Sequence, residues 1–149
     1  PVNRTAKTMR GAAVSALLLY LATNSQSAPP VRDKVLEDVE ITRSDGNMIV
    51  EVYFSFPLRY RSHFPQDNGR ELRIRLQPVR VPVSDLDAVF QRESVTPPYA
   101  DAVALDEVIY EGDIDGGPYL TVRFLQSVSY QAVPGADYRS VRIVVLSID

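Results

Sequence analysis

The chain has no cysteine, a single histidine (His63), and only two lysines, Lys7 and Lys34, among its 149 residues. Without cysteine there is no disulfide framework, no thiol nucleophile and no acylation site of the lipoprotein type. The lone His63 follows Ser62 directly, so in a strand their side chains point to opposite faces and cannot form a nucleophile–base pair. Glycine-rich phosphate loops, nucleophile elbows and metal-ligand clusters are absent from the sequence as well. Asp113-Ile114-Asp115-Gly116 has the first ligands of a calcium loop but lacks the others and the closing bidentate glutamate, so a hairpin turn is the better reading. Glu37-Asp38 and Asp106-Glu107 are neighbouring carboxylates at strand starts, which have no geometric reason to meet over one substrate. No enzymatic activity, cofactor or metal is expected.

What the chain does contain begins with a leader. Met9-Arg10 precedes an apolar run, Ala12 to Ala22, and then small polar residues, Asn24-Ser25-Gln26-Ser27-Ala28. The run is too short to span a bilayer and reads as an export signal cut after Ser27 or Ala28. Residues 1–28 are therefore assigned to the signal peptide and upstream residues, and 29–149 to one exported domain with a periplasmic location. Losing Arg4, Lys7 and Arg10 from 16 bases leaves 13 against 19 acids, a net charge of −6. That balance argues against nucleic acid as a partner. No second apolar segment reaches membrane length.

The mature part repeats itself. Leu36-Glu37-Asp38-Val39 aligns with Leu105-Asp106-Glu107-Val108 at an offset of 69. Val50 to Phe54 aligns with Leu120 to Phe124 at 70, as do Leu58/Val128 and Tyr60/Tyr130, and Leu72 to Leu76 meets Val141 to Val145 at 69 again. Both length changes are assigned to turns, where insertions are tolerated. The folding unit is read as duplicated, with copy one at 35–77, a connecting segment at 78–104 and copy two at 105–148.

Within each copy the apolar residues alternate. Val50, Val52, Phe54 and Phe56 take one side and Glu51, Tyr53 and Ser55 the other; Leu72, Ile74 and Leu76 alternate with Arg73, Arg75 and Gln77. Asp45-Gly46-Asn47 is a hairpin turn signal, matched by residues 113–117. Pro57 separates two strands because it cannot donate to a ladder. Each copy is predicted to be a four-stranded antiparallel meander: 35–43, 48–56, 58–64 and 70–77, then 105–112, 119–125, 127–133 and 139–148. Ser84-Asp85-Leu86-Asp87 has the form of a helix start, predicting a short helix at 85–92. Packing two half-apolar sheets face to face buries both, so the fold class is all-β: a pseudo-symmetric β-sandwich of two duplicated four-stranded sheets, with a short helix between the repeats.

The run Val50-Glu51-Val52-Tyr53-Phe54, Pro57-Leu58-Arg59-Tyr60, Phe64-Pro65 and Arg70-Glu71-Leu72-Arg73-Ile74-Arg75-Leu76 resembles the AMIN domain. That family supplies the N-terminal non-catalytic module of periplasmic N-acetylmuramoyl-L-alanine amidases and of type IV pilus secretins. Copy two repeats the pattern as Val128-Ser129-Tyr130, Val133-Pro134 and Arg139-Ser140-Val141-Arg142-Ile143, so the resemblance covers about residues 35–148. Arg75 and Val144 stand where the family often carries an acid. The resemblance implies two symmetric sheets that display polar motifs outward and target a larger protein to peptidoglycan or another envelope polymer.

Residue parity supplies the candidate surface. If even-numbered residues of copy one face the core, then Tyr53, Arg59, Arg61, His63, Arg73 and Arg75 share the outer face. Guanidinium forks match carboxylates bidentately and a tyrosine ring stacks on sugar, so such a face suits a polyanionic, hydroxyl-rich polymer. The plainer alternative is that strands need polar outer faces and arginine serves there. In copy two Arg123, Ser129, Gln131 and Arg142 face out beside apolar Leu125 and Val144, on a more acidic background. Residues 33–77 carry 7 bases and 8 acids, residues 105–149 only 3 bases and 7 acids. The ligand-binding candidates are thus Tyr53, Arg59, Arg61, Arg73, Arg75, Arg123 and Arg142. A rival function is a structural role in a periplasmic secretion or pilus assembly, with envelope assembly proteins as partners.

Overall fold

Alternating apolar side chains become strands when each apolar face finds a partner, and the computed structural model, which describes residues 33–97 and 105–146, is built almost wholly that way. The expected leader and residues 98–104 of the connecting segment lie outside the described residues. The strands are β1 (Leu36–Ser44), β2 (Asn47–Phe54), β3 (Leu58–Phe64), β4 (Asn68–Pro78), β5 (Arg92–Val95), β6 (Leu105–Glu111), β7 (Tyr119–Pro134) and β8 (Ser140–Val145). A 3₁₀ turn at Val83–Asp85 runs into α1 (Leu86–Val89), and a second 3₁₀ turn occupies Ala136–Tyr138. The class is all-β, as the sequence predicts.

All pairings are antiparallel, in the order β1-β2-β8-β7-β4-β3, with β6 on β7 and β5 on β6. Strand β7 serves both sheets. Its first part, together with β3, β4, β6 and β5, makes the second sheet; its last residues, Tyr130 to Pro134, pair with β8 in the first. Side chains from both sheets fill one core, in which Val50, Val52, Phe54, Leu72, Ile74, Leu120, Val122, Val141 and Ile143 are fully buried. The β1–β2 hairpin turns at Asp45 (φ 53°) and Gly46 (φ 78°). Two successive positive φ values match the right-handed twist of the flanking strands.

Four expectations need correction. First, neither predicted meander forms: β2 pairs with β8 instead of β3, and 119–125 and 127–133, expected as two paired strands, run on as the single strand β7. Residues 55–57 carry the chain across to the other sheet: Ser55 N–H bonds the Val35 carbonyl at 2.8 Å while Phe56 and Leu58 on either side of Pro57 stay buried. A tight β2–β3 turn would expose both of those apolar residues.

Second, the helix is shorter than 85–92. Asp85 makes no side-chain cap, Ser84 bonding its carboxylate instead, and the chain extends again at Arg92 to form β5, which alternation did not reveal. Gly112 permits this approach: its N–H bonds the Gln91 carbonyl at 2.9 Å, and a Cβ there would lie 2.0 Å from the Val89 oxygen.

Third, a bulge at Arg61 shifts the register between Tyr60 and Ser62. Beyond it, Ser62 and Phe64 stand opposite outward Arg75 and Arg73, whereas His63 pairs with buried Ile74. One extra residue reverses the face of everything after it. Fourth, Thr121, which shares the parity of outward Arg123 between core-facing Leu120 and Val122, is only 1% exposed.

Candidate functional site

The outer face of the second sheet collects four of the seven candidate residues from the sequence. Across β3, β4 and β7 the register sets Ser62 against Arg75 and Arg75 against Tyr119, then Phe64 against Arg73 and Arg73 against Thr121. Glu71 stands opposite Arg123, and Arg59 opposite Gln77. Arg59, Arg73, Arg75 and Arg123 therefore share this face, and Arg61 projects from the bulge at its edge.

Their surroundings divide these arginines into two kinds. Arg73 and Arg123 are committed to the protein. The Arg73 guanidinium lies 4.6 Å from the centre of the Tyr119 ring and donates to Glu111 at 3.3 Å. Glu111 is almost fully buried and also accepts from Arg92 at 2.9 Å and from the Thr121 hydroxyl at 2.7 Å. Burial alone pushes the Glu111 carboxyl up, but the Thr121 hydrogen bond and the Arg73 and Arg92 charges outweigh it and hold it below its ordinary value. Arg123 bridges Glu71 at 3.1 Å and Glu107 at 3.4 Å, and the Glu71 hydrogen bond raises its pKa.

Arg61 and Arg75 are different. Both are exposed, and neither guanidinium makes an ion pair or hydrogen bond among the described residues. They edge a groove of about 260 Å³ that is completed by Leu76, Gln77, Pro78 and Gly117, and none of the described residues in its lining is an acid. Leu76 N–H donates to the Pro118 carbonyl at 2.9 Å, which holds the turn before β7 against the end of β4 and forms the far wall. Arg59 is intermediate: its guanidinium sits 5.1 Å from the centre of the Tyr138 ring.

The remaining candidates lie elsewhere. Tyr53 is on the first sheet, where its hydroxyl donates to Glu40 at 3.1 Å. Desolvation, then the Glu40 bond and the nearby Glu51 charge, push its pKa up to about 12. Arg142 is also there, paired with Glu51 at 3.2 Å, and Glu51 further accepts from Ser140. Since β2 sits beside β8, Tyr53 does not share a face with the β3 and β4 arginines. His63 is held by two bonds: Nε2–H donates to the Gln66 carbonyl at 2.8 Å, and Nδ1 accepts from the Tyr60 hydroxyl. Its ring is thereby occupied as a fastener of the β3–β4 connection.

Residue parity missed two aromatic members of the second face. Phe64 is 73% exposed, carried outward by the bulge, and Tyr119 underlies Arg73. Only the bulge reveals the first, and only the β4–β7 pairing the second. Among the described residues no group of three or more histidine or acidic side chains is arranged to hold a metal. None of the helices among them is long and apolar enough to cross a membrane. No protein-family model matches the chain, and no curated protein is significantly similar to it.

Proposed function

We propose that this chain is an exported, non-catalytic, AMIN-like module that attaches its parent protein to the bacterial envelope, with peptidoglycan as the polymer bound. The observation that carries the binding reading is the pair of exposed guanidiniums, Arg61 and Arg75, which have no ion-pair or hydrogen-bond partner among the described residues and line one groove in which no described residue is an acid. Arg73, Arg92, Arg123 and Arg142 are each engaged by an acid. Arg61 and Arg75 instead bring two cations to one groove, where a single anion is attracted to both.

Support for the duplicated, pseudo-symmetric sandwich comes from register. Val52 faces Val141 across β2–β8, and Val122 faces Leu72 across β7–β4. These pairs are interchanged by the repeat offsets, and so are the bulges at Leu36/Asp38 and Leu105/Glu107. The strand orders β1-β2-β8-β7 and β6-β7-β4-β3 are equivalent in the same sense. On this reading each sheet takes one hairpin from each copy, and the extra residue of copy one is the Arg61 bulge, not a turn residue.

The test is co-sedimentation with purified peptidoglycan sacculi. Replacing Arg59, Arg61 and Arg75 by Gln is expected to abolish most pelleting while leaving the melting temperature unchanged; Arg73 is left intact because it anchors Glu111. Full pelleting by the triple variant would refute the arginine face. A second reading, docking into a secretion or pilus assembly, is favoured by exposed Val83, Leu86 and Phe90 on the connecting segment. Failure of the wild-type protein to pellet would favour it.

A further inference from the structure

We infer that the groove between Arg61 and Arg75 is a terminus-binding site that takes the C-terminal carboxylate of a short peptide. This rests on the envelope-binding reading for where such termini are found, but its chemistry stands on the groove itself. At about 260 Å³ the groove falls below the pockets of roughly 300–1,000 Å³ that enclose a whole small molecule, so it accommodates the end of a chain.

The walls define which end. Arg61, at the β3 bulge, and Arg75, on β4, supply two forked donors, and no acid among the described residues lines the groove with them. A planar carboxylate accepts from a guanidinium fork through two parallel bonds, whereas a sugar hydroxyl engages neither fork bidentately. Leu76 and Pro78 add apolar lining beside the charges, suited to a small side chain on the terminal residue. Gln77, which is exposed, offers an amide able to both donate and accept, matching the peptide link one residue in from the terminus. Gly117 forms the opposite rim. A Cβ there would lie 3.0 Å from the Ile114 carbonyl and 3.2 Å from the Tyr119 ring, so this rim stays bare backbone.

The bulge is what makes the site. Arg61 is itself the extra residue, left without a register partner on β4 between Tyr60, opposite Leu76, and Ser62, opposite Arg75. A bulge commonly re-aims a side chain at a functional site, and this one sets Arg61 over the groove that Arg75 borders.

The experiment titrates N-acetyl-alanyl-alanine, its C-terminal amide and inorganic phosphate separately into the full chain, followed by NMR of the backbone amides at low salt. Saturable shifts centred on residues 61, 75–78 and 117 are expected with the free acid, with affinity at least tenfold weaker for the amide and for phosphate. Arg61→Gln and Arg75→Gln should each weaken the acid tenfold, and Arg75→Lys should rescue only part, because it restores charge without the fork. Equal binding of acid and amide would overturn the proposal, as would phosphate binding as tightly as the acid, or unchanged affinity in both glutamine variants. Failure of the peptide to bind while wild type still pellets with sacculi would sink the groove alone. Peptide binding without sacculus pelleting would keep the groove and remove the wall-polymer reading.

Discussion

The Thr121 hydroxyl donates to the Glu111 carboxylate at 2.7 Å, joining β7 to β6 beneath the arginines of the outer face. Both residues are buried, at 1% and 6% exposure, so the carboxylate is stable there only because Thr121, Arg73 and Arg92 all reach it. Thr121→Val is expected to cost about 1.5–3 kcal/mol, the range for a hydrogen bond to a charged group. Chemical denaturation checks this, with an unchanged m-value showing that the denatured state is unaffected.

The same carboxylate links stability to pH. Its folded-state pKa is lowered, so the stabilisation it contributes is complete above the unfolded value, about 4.3, and is lost as pH falls toward the folded one. Wild type should lose stability as pH falls through and below about 4.3 more steeply than Glu111→Gln, which has no proton to take up at this position. Melting temperatures across that window measure the difference. Parallel curves for the two proteins would remove Glu111 from the account.

Core parity predicts effects of very different size for adjacent residues. Val52→Asp or Val122→Asp sets an unpaired charge among fully buried side chains and is expected to cost about 4 kcal/mol or more, enough to unfold a marginal domain. Glu51→Ala removes only a half-exposed contact to Arg142 and the Ser140 bond, an effect of about 1 kcal/mol. Circular dichroism and urea titration of the purified variants distinguish these outcomes.

Strand partnership is testable because the chain carries no competing thiol. Glu51 and Arg142 are register partners across β2–β8. Their Cα atoms in an antiparallel pair lie about 4.5–5.5 Å apart, within disulfide range. Glu51→Cys with Arg142→Cys should therefore oxidise to an intramolecular disulfide in the folded protein, detected as a faster-migrating band on non-reducing gels. Glu51→Cys with His63→Cys, which would stand opposite each other in a β2–β3 meander turning at Pro57, should stay reduced under the same conditions.

Much of the local structure was legible in the residues. Alternation along 50–56 and 72–76 identified the buried faces, Asp45-Gly46 identified a hairpin, and Pro57 marked a break between strands, because each of these depends on backbone sterics and side-chain parity within a few residues. The sequence by itself determined that the chain is all-β and which side of most strands seeks a core.

Tertiary structure alone decided which strands meet. An apolar face specifies burial but not a partner, so β2 could satisfy its parity against β3 or β8 equally; the choice turns on keeping Phe56 and Leu58 buried across the crossing at 55–57. The Arg61 bulge, the β5 strand and the buried Glu111 were hidden for the same reason. Each depends on a neighbour distant in sequence, and no local period records it. That choice of neighbours is also what separated Tyr53 from the β4 arginines, tied Arg73 to Glu111, and left Arg61 and Arg75 unpaired beside one groove.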